Sequence, residues 1–441
     1  MSSTSVSADK APPSPALVRR ATLGATVGSI VEWFDVAVYG YLAVVIGQVF
    51  FGADDPTTAL LSSFAVFAAA FIVRPLGGIF FGFLGDRVGR QKTLAAVILL
   101  VSAATFGIGV LPGQAAIGVL APVLLVTLRL LQGFSAGGEM GGASAFVAEY
   151  APPARRGFLV SLVEMGCILG FLLGSLTVLI LNLMLSQDQV LAWGWRIPFL
   201  LAAPLGLVGL FIRSKLEETP EFTALRAAGG VSKNPLKETV TKHWRAVLIV
   251  GAFALFQNAA LYVVLTFVPS HLTTTLGHTS LLASTSSVVT MAVVCLTIPL
   301  MGALSDRIGR KRILATSCVS AMILSYPLFL LMEQGDPGLA MAAHIGLGII
   351  LGIFLGPVLA TMNELFTTAV RYGGFSLGYN LSVSMFGGTA PFLVTLLIAQ
   401  TGVTASPGFY IMAAALITFV VLIKTKETAP RLTDARTSGT P

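Results

Sequence analysis

Glu32, Asp35, Arg74, Arg129, Glu139 and Glu164 all fall inside long apolar runs of the chain. A charge at the middle of a bilayer costs about 2.5 to 3.5 kcal/mol on insertion scales, so these six facing lipid would together cost roughly 15 to 20 kcal/mol. They must pair with one another or line a cavity. The chemistry such a set supports is ligand binding and proton exchange. An arginine offers a planar fork to a carboxylate, and a carboxyl group taken out of water can change its protonation near working pH. Glu139 and Asp35 are the leading proton-coupling candidates, followed by Glu32 and Glu164, while Arg129 and Arg74 lead for substrate binding. The plainer reading makes each arginine a helix–helix ion pair and Glu164 a counter-ion for an arginine.

Spacing favours a shared cavity. Glu32, Asp35 and Tyr39 recur at i, i+3 and i+7, on one face of a helix. Arg129, Gln132 and Glu139 make a second polar stripe, roughly 15 Å long at 1.5 Å per residue. Gln132, Asn258, Tyr262 and Asn380 are further candidate pocket residues, with packing as the alternative role, and a buried amide needs partners. His243, His271, His278 and His344 share no metal-ligand spacing, so no metal is expected and they read as structural or loop residues. No G-x-x-x-x-G-K-[ST] string and no nucleophile–base set occurs, which argues against an ATPase or an enzyme.

The elements that hold these residues follow from composition. Of 441 residues 55% are hydrophobic and 11% charged, with a mean hydropathy of +0.87, far from a soluble domain. Apolar runs of membrane-spanning length begin near Ala21, Ala59, Leu94, Ile117, Phe158, Ile197, Val247, Leu281, Ile313, Leu339, Phe375 and Phe409, twelve in all, those from Ile197 and Phe409 being short. The net charge of +7 is not a nucleic-acid signal. Lys10, Arg19, Arg20, Lys92, Arg155, Arg213, Lys233, Lys424, Arg431 and Arg436, among others, fall on one side of the predicted topology, against Arg196, Asp54, Asp55, Asp188, Glu333 and Asp336 on the other. The positive-inside rule then puts both termini in the cytoplasm. The predicted organisation is a tail at 1–20, a six-helix bundle at 21–212, a linker with short interfacial helices at 213–246, a second bundle at 247–423 and a tail at 424–441. The first tail has no secretory h-region. Cys167, Cys295 and Cys318 fall within spans and read as small buried hydrophobes.

Two motifs repeat. Gly82, Leu84, Asp86, Arg87, Gly89, Arg90 and Lys92 return 220 residues later as Gly302, Leu304, Asp306, Arg307, Gly309, Arg310 and Arg312. Glu149 and Arg156 return as Glu364 and Arg371, 215 residues on. The chain is therefore two related halves in parallel repetition, a pattern expected of transporters that rock about a midplane site.

The repeated string resembles the loop signature of the major facilitator superfamily. Glu32-Trp33-Phe34-Asp35, Arg74-Pro75-Leu76-Gly77-Gly78, Gln132-Gly133 to Glu139 and Trp193-Gly194-Trp195-Arg196-Ile197-Pro198 resemble its metabolite:proton symporter branch, which includes carriers for 2-oxoglutarate, citrate, shikimate and proline or betaine. Asn258, Tyr262, Pro269 and Ser270 look like the proline/betaine carriers, although the C-terminal coiled coil of osmosensing members is not seen. The resemblance implies an all-α membrane protein with the major facilitator fold, twelve transmembrane helices in two pseudo-symmetric six-helix halves. It also implies that Asp86 and Asp306 bridge the halves in the outward-facing state, in a gate with Arg87, Arg90, Arg307, Arg310, Glu149, Arg156, Glu364 and Arg371. The expected function is proton-coupled uptake of a small di- or tricarboxylate or related organic acid across a bacterial inner membrane, by a monomer. It needs no cofactor beyond the proton gradient. The alternative is proton symport of a zwitterion such as proline or glycine betaine, and a non-transporting sensor or a membrane enzyme is remote.

Overall fold

The computed structural model describes residues 14–430 apart from 53–55, 216 and 233. The outer parts of both expected tails, with Lys10, Arg431 and Arg436, lie outside the described residues, as do Asp54, Asp55, Lys233 and the side chain of Arg213.

Among the described residues all regular structure is helical, because lipid offers no partner to a backbone N–H or carbonyl and a helix satisfies both internally. The first half runs through α1 (Pro15–Tyr41, prolonged by Ala43–Phe51), α2 (Pro56–Arg87), α3 (Arg90–Val110), α4 (Leu120–Tyr150), α5 (Arg156–Met184) and α6 (Arg196–Ser214). Two eight-residue helices, α7 (Pro220–Ala227) and α8 (Pro235–Lys242), connect it to the second half. That half comprises α9 (Trp244–Tyr262), α10 (Ser280–Ile308), α11 (Arg310–Met332), α12 (Pro337–Glu364), α13 (Arg371–Ser382) and α14 (Pro407–Lys424). Five-residue wide turns, Val263–Phe267 and Val383–Gly387, carry α9 and α13 on into Val268–Thr274 and Ala390–Thr401. Eleven of these elements are long and apolar enough to span a membrane. A twelfth span forms from Gln187–Gly194 and Arg196–Ile212, bent by 45°. Arg196 secures that bend by donating to the carbonyls of Gly109 (2.8 Å) and Leu111 (2.7 Å) at the end of α3.

Helix starts follow local sequence. Ser14, Thr219, Asn234 and Asp336 each precede a proline and accept a bond from a backbone N–H of the first turn, so the cap answers one orphan donor while proline supplies none. The repeated turns need glycine: Gly89 has φ +130° and Gly309 +108°, a region side chains avoid.

Within the first half α1 packs on α5, and α2 on α4. Gly166, Gly170 and Gly174, spaced by four, lie against the α1 backbone near Thr26, Ile30 and Phe34, where a Cβ would collide. Small residues are what permit two spans to approach this closely. The halves meet along α5–α10 and α2–α13. Exposed positions carry large apolar side chains, Ile72, Leu207, Leu296 and Phe392 among them, while Asp35, Arg74, Arg129 and Glu164 are buried.

Candidate transport site and gate

The inward face of α1 meets both arginines. Glu32 Oε1 accepts from Arg74 Nη2 at 2.5 Å. One turn on, Asp35 accepts from Gln132 Nε2 at 2.8 Å and pairs with Arg129 at 3.6 Å. Gln132 also donates to Thr105 Oγ1 (2.8 Å), and its carbonyl accepts from Arg129 Nη1 (2.8 Å). The Arg129 guanidinium lies 3.9 Å from the centre of the Tyr39 ring, whose hydroxyl donates to the Ser63 carbonyl at 3.2 Å. Both ion pairs line one cavity of only about 20 Å³. A ligand can enter only if the pairs part.

Behind Phe71, which lines this cavity, stand aromatic side chains of the second half. Tyr262 lies edge-on to Phe71, 5.9 Å between ring centres, and Tyr262 and Tyr379 are both within electrostatic reach of Arg74. Among the described residues Glu164 pairs with no arginine. Its Oε1 accepts from Gln257 Nε2 on α9, across the seam, at 3.1 Å. Glu139 is buried, and it lies within electrostatic range of the Cys167 thiol, as do Glu164 and Glu32. The amide nitrogens of the two candidate asparagines are engaged by backbone carbonyls. Asn258 Nδ2 donates to Ala254 of its own helix (2.7 Å), and Asn380 Nδ2 to Gly137 on α4 and to Ser376 (both 2.8 Å), so Asn380 acts as a strut between halves. A helix carbonyl four residues back competes for each amide.

At the face bearing the repeated turns the halves are bolted together. Asp86 accepts from the backbone N–H groups of Tyr372 (3.2 Å) and Gly373 (2.8 Å) at the start of α13. Asp306 accepts from Gly157 (2.8 Å) and Phe158 (2.9 Å) at the start of α5. Each carboxylate therefore sits on the positive end of a helix of the other half. Arg90 joins Asp86 (3.1 Å) to Glu149 (3.2 Å), and Arg310 joins Asp306 (2.8 Å) to Glu364 (3.3 Å). Arg371 reaches Glu149 (3.1 Å), and Arg371 (2.7 Å) and Arg156 (3.4 Å) both hold Glu221 on α7. Arg87 and Arg307 are exposed, with Arg87 over the Phe83 ring.

Two residues of this network escape the motif reading. Glu218 caps α3 through the N–H of Arg90 (3.1 Å), and Glu427 caps α11 through those of Arg310 (2.9 Å) and Lys311 (3.1 Å). Both begin a Glu-Thr pair just after the sixth or the twelfth apolar run, a repeat visible in the sequence.

Burial opposes ionisation of Glu221, yet Arg371, Arg156 and the Thr368 hydroxyl hold its carboxyl below the ordinary value of 4.5. Its contribution to the closed gate is complete above that value and fades as pH falls through the depressed one. Glu221→Gln is therefore expected to lower the thermal midpoint at pH 7 and to reduce its fall between about pH 5 and 3. An unaltered acid profile in the variant would remove Glu221 from the gate.

Two six-helix bundles joined by reciprocal carboxylate caps, with paired charges buried between them, define a membrane transporter. The chain belongs to the major facilitator superfamily: the model of the "Sugar (and other) transporter" family matches residues 21–234 and again 224–435. It is 39% identical over 423 residues to the proline/betaine transporter of Salmonella typhimurium, covering 94% of this chain and 84% of that one. The ectoine/proline transporter of Corynebacterium glutamicum is 37% identical, with 95% and 86% covered. The inner membrane metabolite transport protein YhjE of Escherichia coli is 36% identical, with 91% and 92% covered. In fold it matches the proton:xylose symporter XylE at 18% identity, TM-score 0.79, over 94% of this chain and 97% of that one.

Proposed function

We propose that this carrier takes up a small zwitterion of the proline/betaine class together with a proton, by alternating access in a bacterial inner membrane with both termini cytoplasmic. The relatives' substrates favour this over the organic acid expected first. The observation that carries the reading is charge balance: Arg74 is answered by Glu32 and Arg129 by Asp35. A dicarboxylate would add at least two uncompensated negative charges to this buried site, whereas a zwitterion adds none. Its carboxylate can take the Arg74 fork from Glu32. Its ammonium end then meets Tyr262 and Tyr379, and rings attract even a fully methylated cation that has no N–H to donate. The single chain suffices, and the proton gradient supplies the energy without a cofactor.

The test is uptake into proteoliposomes with an imposed inward proton gradient. Labelled glycine betaine or proline is expected to accumulate above the no-gradient control and to resist competition by 2-oxoglutarate or citrate. Accumulation of a labelled dicarboxylate that betaine cannot displace would overturn the zwitterion reading.

A further inference from the structure

The wide turn Val263–Phe267 follows Tyr262 directly, and it leaves one carbonyl without a donor in its own helix. The N–H of Val268 reaches back five residues to Val263. Residue 269, which would continue the same pattern onto Val264, is a proline and has no N–H. The Val264 carbonyl is answered from another helix: His344 Nε2 on α12 lies 2.8 Å from it. A carbonyl can only accept, so Nε2 carries the proton. The other ring nitrogen, Nδ1, is 2.8 Å from the Ser286 hydroxyl on α10. His344 and Ser286 are both fully buried.

We infer that His344 is a positioning residue for transport: it pins the wide turn of α9 and thereby sets the Tyr262 ring against Phe71, which lines the charged cavity. A buried carbonyl without a partner is destabilising, and the turn has no other way to keep Pro269 and a satisfied backbone together. His344 stands 215 residues after Arg129, the interval from Glu149 to Glu364. Arg129 clamps α4 onto α1 through Asp35. His344 clamps α12 onto α9, the related helix of the other half, with a donor directed at the backbone. The second half thus holds its inner helix through a backbone carbonyl instead of an ion pair.

Glutamine places its amide nitrogen where Nε2 lies, whereas asparagine reaches only as far as Nδ1. His344→Gln should therefore keep the bond to Val264 and His344→Asn should lose it, although both are polar and neutral. In the purified full-length protein, amide hydrogen exchange over residues 263–272 is expected to match the parent in His344→Gln and to speed up about tenfold in His344→Asn, the scale of one lost buried hydrogen bond. Equal exchange in the two variants would overturn the assignment. This arm is independent of any substrate. The second arm rests on the transport reading: KM for labelled glycine betaine should rise in His344→Asn with a smaller change in maximal rate. Pro269→Ala, which restores an N–H at 269, should reduce that rise in the double variant. A KM penalty unchanged by Pro269→Ala, or a loss confined to maximal rate, would remove His344 from substrate positioning.

Discussion

Glu164→Gln is expected to reduce uptake under an inward proton gradient to the no-gradient level while leaving betaine exchange across the membrane within about threefold, because a group that carries the proton sets the driving force and leaves substrate binding intact. Glu164 is fully buried at the seam, and among the described residues no cation pairs with it. Its Oε1 already accepts from the Gln257 amide, while Glu164 Oε2 and Gln257 Oε1 are both buried without a hydrogen-bond partner. A carboxyl group carrying a proton on Oε2 is complementary to a primary amide: it accepts at one oxygen and donates at the other, so one proton answers both orphan atoms. Glutamine at 164 reproduces that donor and acceptor pattern permanently and so mimics the loaded state. The two halves would still rock, without a proton to gain or lose. The measurement is labelled glycine betaine in proteoliposomes, as net accumulation and as counterflow. Full gradient-driven accumulation by Glu164→Gln would transfer the coupling role to Asp35, Glu32 or Glu139.

How much of this was legible in the sequence depends on the range of the interaction. The twelve spans and their duplication are written in apolar run length and in two repeated motifs, which are properties of neighbouring residues. The gate turns are legible for the same reason, since Gly89 and Gly309 are required by the backbone whatever faces them. Partners across the seam are not. Glu164 meets Gln257 at a separation of 93 residues, and nothing in either helix alone distinguishes that pairing from the arginine counter-ion role expected of Glu164. The bond from the Asn380 amide to the Gly137 carbonyl of α4 is equally invisible from α13 alone. The exceptions are Glu218, Glu427 and His344, where a repeat interval was present and unread: the first two sit alike after the last span of each half, and His344 lies in register with Arg129. Internal symmetry therefore reaches further than composition. It locates a position in the second half even where the residue type has changed from a guanidinium to an imidazole.

Whether Arg129 binds substrate or merely ties helices together is decided by removing the charge once and then twice. Arg129→Leu leaves Asp35 buried with only neutral donors, Gln132 foremost, and strips a cation from the face of Tyr39. Breaking one partner out of a buried ion pair costs about 3 to 5 kcal/mol, chiefly because the remaining charge is stranded, so the single variant should unfold at a markedly lower temperature in detergent. Asp35→Asn added to it removes the stranded charge while its amide oxygen can still accept from Gln132. Most of the lost stability should return, and the two changes should be strongly non-additive. Transport separates the readings. If the pair opens to let the substrate in, as the small volume of the cavity requires, the stable double variant remains inactive, because no charge at 129 or 35 is left to be exchanged for one on the substrate. Recovery of betaine uptake together with stability would mean that the pair is an internal strut, and would leave Arg74 and Glu32 as the substrate's charged contacts.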